Sequence, residues 1–285
     1  MNGVLIINKQ EGITSQGVVS KVKKILNVKK AGHTGTLDPL ATGVLPILIG
    51  NATKLSKYLI EHDKTYIACI KLGLKSSTGD REGEFIQTKS IPESIDEETI
   101  NNILKNFLGV YVQTPPIYSA IKINGKKAYE YARSGQDVKM GPRDIEIYDI
   151  ELIQFLDKEI TFKTVCSKGT YIRTLCEDIA KKCGTVGYMK ELTRTKINEF
   201  TIENSISIEE IKENTNKALI KTISIEELFK NNEKIDLNQR KKELFLNGVQ
   251  LTFEKNNGIY KIYNDNQFIG LGIIKNNLLK RDIVL

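Results

Sequence analysis

Apolar and polar positions along the chain follow two periods. Val4-Leu5-Ile6-Ile7 is a short apolar run and reads as a buried strand. From Thr14 the spacing becomes helical. Val18, Val19, Val22, Ile25 and Leu26 form one stripe, and Thr14-Ser15 supply the cap. Val44 to Gly50 reads as a second buried strand, Asn51 to Leu59 as a helix and Lys64 to Gly73 as a strand. A polar loop, Ser76 to Gly83, leads to a strand near Glu84 to Thr88. Asp96 to Leu108 is amphipathic, with Ile100, Ile103, Leu104, Phe107 and Leu108 on one face and Gly109 as the stop. After an Asn124-Gly125 turn, Lys126 to Ser134 is helical and Gly135 to Pro142 is an irregular, mobile excursion. Arg143 to Leu156 and Glu159 to Ser167 are strands joined at Asp157-Lys158. Thr170 to Cys183 is a helix, Met189 to Ile202 is extended, and two short helices follow around Ser207 to Ile211 and Ser224 to Phe229.

Near Asn231 to Glu233 the chain turns linker-like. Beyond it come a short helix, Gln239 to Leu246, and strands around Ile259 to Tyr263, Phe268 to Ile274 and Leu278 to Leu285. Residues 1–232 therefore read as one larger unit and 233–285 as a small, separate β-rich domain. Helices mixed with hairpin-joined strands predict an α+β fold, with a mixed, mostly antiparallel sheet flanked by helices.

Composition narrows the function classes. The 285 residues are 40% hydrophobic and 27% charged, as in ordinary globular proteins. Without a long uncharged apolar run, neither a membrane span nor a signal peptide is expected, which implies the cytoplasm. The net charge of +7 suits a polyanionic partner such as nucleic acid. Lys21, Lys23, Lys24, Lys29 and Lys30 read first as a solvated helix face, and second as a phosphate-facing edge. Four cysteines without a CxxC pair and two histidines argue against a zinc site, so no metal is expected. Cys176 and Cys183 share an apolar helix face with Ile172, Leu175 and Ile179 and read as buried small hydrophobes.

The stretch richest in candidate chemistry is Gly32-His33-Thr34-Gly35-Thr36-Leu37-Asp38-Pro39-Leu40-Ala41-Thr42-Gly43. Its glycines, threonines and proline exclude a regular helix or strand and predict a rigid loop. Asp38 precedes Pro39, which restricts its backbone. A loop aspartate is commonly a turn residue; a lone carboxylate in so stiff a loop is also a candidate nucleophile or base. The glycines match neither a phosphate-binding loop nor a dinucleotide fingerprint. Gly169-Thr170-Tyr171-Ile172-Arg173-Thr174-Leu175 opens a helix, whose N-terminus attracts anions. Arg173 there is a surface arginine, or one that pairs with a carboxylate or an RNA phosphate. Tyr66, in Lys64-Thr65-Tyr66, is either core or a flat ring on which a base stacks.

Further segments extend the pattern: Lys9-x-x-Gly12-Ile13-Thr14-Ser15, Thr114-Pro115-Pro116-Ile117-Tyr118-Ser119-Ala120-Ile121-Lys122 and Tyr129-x-x-Ala132-Arg133. With the loop from Gly32 to Pro46, Lys64-Thr65-Tyr66 and Gly169 to Leu175, they resemble, in order, the TruB-type tRNA pseudouridine-55 synthases. The resemblance covers nearly all of the larger unit. The tail after Asp236 is weakly similar to a PUA-type RNA-binding domain. One departure is Gln10, where the family usually has proline after the lysine; its loss should loosen one turn.

The resemblance implies the pseudouridine synthase fold with a PUA-like tail. It implies isomerisation of the uridine at position 55, in the T loop of tRNA, with no cofactor. Asp38 would attack or deprotonate the nucleoside of a base flipped out of folded RNA. Tyr66 would stack on that base and assist proton transfer at C5, and Arg173 would pair with Asp38, keeping it ionised. His33 matches a histidine that fills the space left by the base. Leu192 matches an apolar pocket wall, and Lys9 and Tyr171 match supporting substrate contacts. Residues 114–143 correspond to an RNA-clasping insertion, where Lys122, Lys126, Lys127, Arg133, Lys139 and Arg143 would meet phosphates. The partner implied is the T arm of tRNA. Dyskerin-type synthases share the fold and need guide RNA partners. This chain lacks long basic extensions, so a stand-alone monomer with no obligatory protein partner is expected. The basic surface also leaves room for assistance of tRNA folding.

Overall fold

The computed structural model describes every residue except Glu61 and Asp137. Asp137 belongs to the predicted excursion 135–142, so that part of the expectation lies outside the described residues. The chain opens with β1 (Gly3–Lys9) and α1 (Ser15–Ile25), followed by β2 (Ala31–His33), β3 (Thr42–Ile49) and β4 (Lys64–Leu72). Next come α2 (Glu97–Lys105), β5 (Gly109–Gln113), β6 (Arg143–Leu156), β7 (Glu159–Cys166), α3 (Ile172–Lys182) and β8 (Gly187–Ile197). The strands form one sheet in the order β1-β3-β8-β4-β7-β6-β5, with β2 beside β3 and Phe200–Thr201 beside β8. Among the described residues, these strands pair antiparallel except β3 with β8.

Local chemistry accounts for these elements. Thr14 caps α1 by accepting from the Gly17 amide, and Asp96 caps α2 by accepting from Thr99. Asp157 and Lys158 both take positive φ, as a tight hairpin between twisted strands requires. The runs 4–7 of β1 and 44–49 of β3 are apolar because both of their faces are covered. Leu5, Ile7, Leu45 and Ile47 pack with Val18, Val19 and Val22 of α1, whereas Val4, Ile6, Val44 and Leu48 face the opposite side.

That opposite side meets the tail: β9 (Lys234–Asp236), α4 (Gln239–Leu246), β10 (Leu251–Thr252), β11 (Gly258–Asn264), β12 (Gln267–Lys275) and β13 (Leu278–Val284). Its sheet runs β9-β11-β12-β13-β10 around a core that includes Ile235, Phe245, Ile262 and Leu279. Besides its own core, the tail packs on the larger unit. Leu271 and Ile283 share an apolar layer with Val4, Ile6, Val44 and Leu48. Asp282 accepts from Tyr58 at 2.5 Å and pairs with Lys57.

Three local expectations change. Gly32, His33, Thr42 and Gly43 belong to strands, because pairing of β2 with the apolar β3 outweighs weak local preference. Only Thr34 to Ala41 is irregular. The helix after Gly50 starts as a 3₁₀ turn, Gly50–Leu55, before Ser56–Leu59. A helix at Thr215–Lys221 was not foreseen, since Leu219 and Ile220 break its amphipathic pattern by facing solvent.

The parallel junction is tight. Gly43, at φ +100°, lies opposite Arg194, and a Cβ there would come 2.2 Å from the Arg194 carbonyl oxygen. We expect Gly43→Ala to destabilise the fold by about 2–4 kcal/mol, through strain and steric conflict together. Denaturant unfolding measures this; an unchanged midpoint would contradict the assigned close approach.

Candidate active site

The irregular segment Thr34 to Ala41 is held from below. Leu37, Leu40 and Ala41 join the apolar core, which leaves Asp38 turned to the opposite side. Ser15 Oγ accepts from the Leu37 amide at 2.9 Å and donates to its carbonyl at 3.0 Å. The Gly12 amide donates to Pro39 at 2.9 Å. Lys9 is fully buried, and its Nζ donates to the carbonyls of Gln10, Pro39 and Ala41 at 2.9, 2.9 and 2.6 Å. Burial lowers its pKa to about 8, although Asp38 pulls it upward. These bonds shape the loop, and Lys9 is not among the residues that line the cleft. The turn at Gln10 has its own tie, from Gln10 Nε2 to Glu209 at 2.9 Å.

Asp38 opens onto a cleft of about 530 Å³. Arg173 reaches it from the first turn of α3, with Nε 2.9 Å from Oδ2 and Nη2 3.4 Å from Oδ1. The fork is itself fixed. Nη1 donates to the Thr78 carbonyl at 3.2 Å and lies 3.7 Å from Asp80, while Nη2 donates to the Tyr118 carbonyl at 2.7 Å. Asp80 is buried and accepts from Thr78 Oγ1 at 2.6 Å and the Glu82 amide at 3.1 Å. Burial raises the pKa of Asp38; Arg173 and Lys9 oppose that rise and Asp80 adds to it. The carboxylate is thus oriented as an anion yet more basic than an exposed aspartate.

The sheet register brings the other groups alongside. Gly43, Arg194 and Tyr66 stand opposite one another on β3, β8 and β4. Tyr66 and Leu192 are both buried and line the cleft. Burial raises the Tyr66 pKa and the nearby Arg194 lowers it, so the hydroxyl is neutral and faces a guanidinium. Tyr171 is clamped through its backbone by the buried Gln113, which accepts from its amide at 2.8 Å and donates to its carbonyl at 3.1 Å. Tyr129 and Arg133 close the rim, the guanidinium 5.4 Å from the ring centre.

Asp38, Tyr66, Arg173, Tyr171, Leu192 and Arg133 therefore share one cleft. His33 stands beside it without reaching its wall. Burial and Arg194 lower the His33 pKa, which keeps the imidazole neutral. Lys122 and Arg143 are exposed and lie off the cleft wall. Sequence reasoning missed Asp80, Gln113 and Arg194. Asp80 looked like one polar residue in a polar loop. Arg194 did carry a signal, as a cation between Leu192 and Ile197 in a strand that is otherwise half-buried.

The solved structure "Structure of H/ACA RNP bound to a substrate RNA containing 2'-deoxyuridine" superposes with a TM-score of 0.70 at 22% identity, over 99% of this chain and 85% of that one. "Crystal Structure of a Cbf5-Nop10-Gar1 Complex" does so equally, at 0.70 and 24%, over the same shares. The family profile described as TruB family pseudouridylate synthase (N terminal domain) matches residues 23–172, and tRNA pseudouridylate synthase B C-terminal domain matches 173–230. Relatives named tRNA pseudouridine synthase B include one from Clostridium tetani, 44% identical over 95% of both chains, and one from Clostridium novyi, 42% identical over the whole of both. The chain belongs to the TruB family of pseudouridylate synthases.

Since burial raises the Asp38 pKa and Arg173 restrains the rise, Asp38 should titrate above the ordinary carboxylate value, and higher again in Arg173→Met. Carbon NMR of labelled aspartate reads both values. A lower Asp38 pKa in the variant would refute the arrangement.

Proposed function

We propose that this protein isomerises uridine to pseudouridine in tRNA, at position 55 in the T loop, with Asp38 as the nucleophile or base. The observation that carries the reading is the forked Arg173–Asp38 pair at the floor of the cleft. Support comes from family membership and from relatives named tRNA pseudouridine synthase B.

The reaction breaks C1′–N1, turns the uracil and joins C5 to C1′. The C5 proton leaves and N1 gains one, so no group donor is consumed. Asp38 attacks or deprotonates the nucleoside, and Arg173 holds its carboxylate in one orientation. Tyr66 and Leu192 flank a flipped base, whose extrusion costs a few kcal/mol. Tyr66 assists proton transfer at C5, Tyr171 supports the pocket, and neutral His33 props the space that the base leaves.

Residues 1–232 form the catalytic unit in this reading, and 233–285 a PUA-like RNA-binding unit. The insertion 114–143 clasps the T arm, with Lys122, Arg133 and Arg143 meeting phosphates. The chain acts as a monomer without an obligatory protein partner and needs no cofactor. Among the described residues no helix is long and apolar enough to cross a membrane. Holding the tRNA elbow also favours refolding of tRNA.

Asp38→Asn should abolish pseudouridine formation in a T-arm transcript while binding to that transcript persists. Mapping of modified sites together with a binding titration tests this, and near-normal turnover would sink the role of Asp38. The same variant should still accelerate refolding of a misfolded tRNA; loss of that effect would tie folding assistance to catalysis.

In the unaltered protein the active form carries ionised Asp38. Because its pKa is raised, single-turnover rates should fall on acidification at a pH above the ordinary carboxylate range. A rate that stays flat down to that range would contradict the assignment.

A further inference from the structure

Two arginines reach the floor of the cleft, and only one of them is neutralised. Arg173 faces the carboxylates of Asp38 and Asp80. Arg194 is 1% exposed and heads the fully buried side chains by volume. Among the described residues, its backbone partners are carbonyls: Nε donates to Val44 at 2.8 Å and Nη2 to Gly35 at 2.9 Å. It also faces the Tyr66 hydroxyl. These dipoles hold the guanidinium in place but do not cancel its charge. A buried ion without a counter-ion costs several kcal/mol. The same side chain lines the cleft beside Tyr66, Leu192 and Asp38. A fixed cation in so dry a place is well suited to negative charge that appears only during a reaction.

Conversion of uridine creates such charge. Whether Asp38 acts at C1′ or as a base, breaking C1′–N1 leaves the electron pair on uracil, spread over N1, O2 and O4. Joining C5 to C1′, losing the C5 proton and protonating N1 removes it again. Resting on the functional reading above, we propose that Arg194 is a catalytic residue that carries the negative charge of the detached uracil. Arg173 cannot share the task, since its fork is occupied by Asp38, Asp80 and two carbonyls. A phosphate is the less suitable ligand, because Arg194 lies inside with Tyr66 rather than at the rim with Arg133.

The test compares single-turnover loss of uridine and of 5-fluorouridine at the target position of a T-arm transcript. Fluorine makes uracil more acidic, so its anion leaves with less help. Arg194→Met and Arg194→Gln remove the charge, and Arg194→Lys keeps it. Met and Gln should slow the uridine substrate by about a hundredfold and the fluorinated one by about tenfold, with transcript affinity within about threefold. Lys should recover most of the loss. Equal losses on both substrates, or a Lys variant as slow as Met, would overturn the proposal and leave Arg194 a structural prop.

If the variants do not fold, the unaltered protein decides. It should process the two substrates at rates within about tenfold of each other, and a much larger acceleration by fluorine would overturn the proposal. Failure of the unaltered protein to convert uridine at all would refute the functional reading instead, which separates the two.

Discussion

The parallel pairing of two strands in the large sheet is the constraint on which the site depends. β3 (Thr42–Ile49) and β8 (Gly187–Ile197) pair at Thr42–Thr193 and Gly43–Arg194. They come this close because Gly43 has no Cβ to meet the Arg194 backbone. One residue earlier on each strand are Thr42 and Thr193, whose hydroxyls meet at 2.8 Å. The contact aligns three strands in one row and brings the loop before β3 to Leu192 and Tyr66. A wider spacing would leave Asp38 in the same loop but remove its neighbours.

The electrostatics of the floor rest on different uses of three cations. Lys9 is spent on loop carbonyls, Arg173 on carboxylates, and Arg194 on carbonyls beside the cleft. The first fixes backbone, the second fixes a side chain, and the third leaves a positive field where a base would lie. Their burial is costly. The cost is tolerable because each head group is tied by several hydrogen bonds and the elements behind them are packed.

The strands and helices with strong periodicity were legible in the chain: α1 from its Val18-Val19-Val22 stripe, α2 from Ile100 and Leu104, and β6–β7 from the turn at Asp157-Lys158. The loop around Asp38 stood out by its glycines and proline, and ordered motifs supplied Tyr66 and Arg173. What could not be read was long-range. Gln113 meets Tyr171 across 58 residues, and Arg173 reaches Thr78 across 95. Neither partner has a local pattern that announces it. The short strands β9 and β10 were missed for the same reason, since a two- or three-residue pairing has too little periodicity to register. The inward turn of Lys9 was not legible either, because a lysine in a motif says nothing about which way its ammonium points.

The apolar layer behind β1 (Gly3–Lys9) joins the two ends of the chain. Val4 exchanges hydrogen bonds with Ile223, and shares its layer with Leu271 and Ile283. Contacts between residues so far apart in sequence carry a high entropic cost of closure and slow the approach to the native state. During synthesis, the first strand must wait for nearly all the rest of the chain before its rear face is covered. The parallel contact of β3 with β8 must likewise await residues 193 and 194. Assembly of the cleft is thereby a late event, and a partly made chain carries Asp38 without the wall that would put it to use.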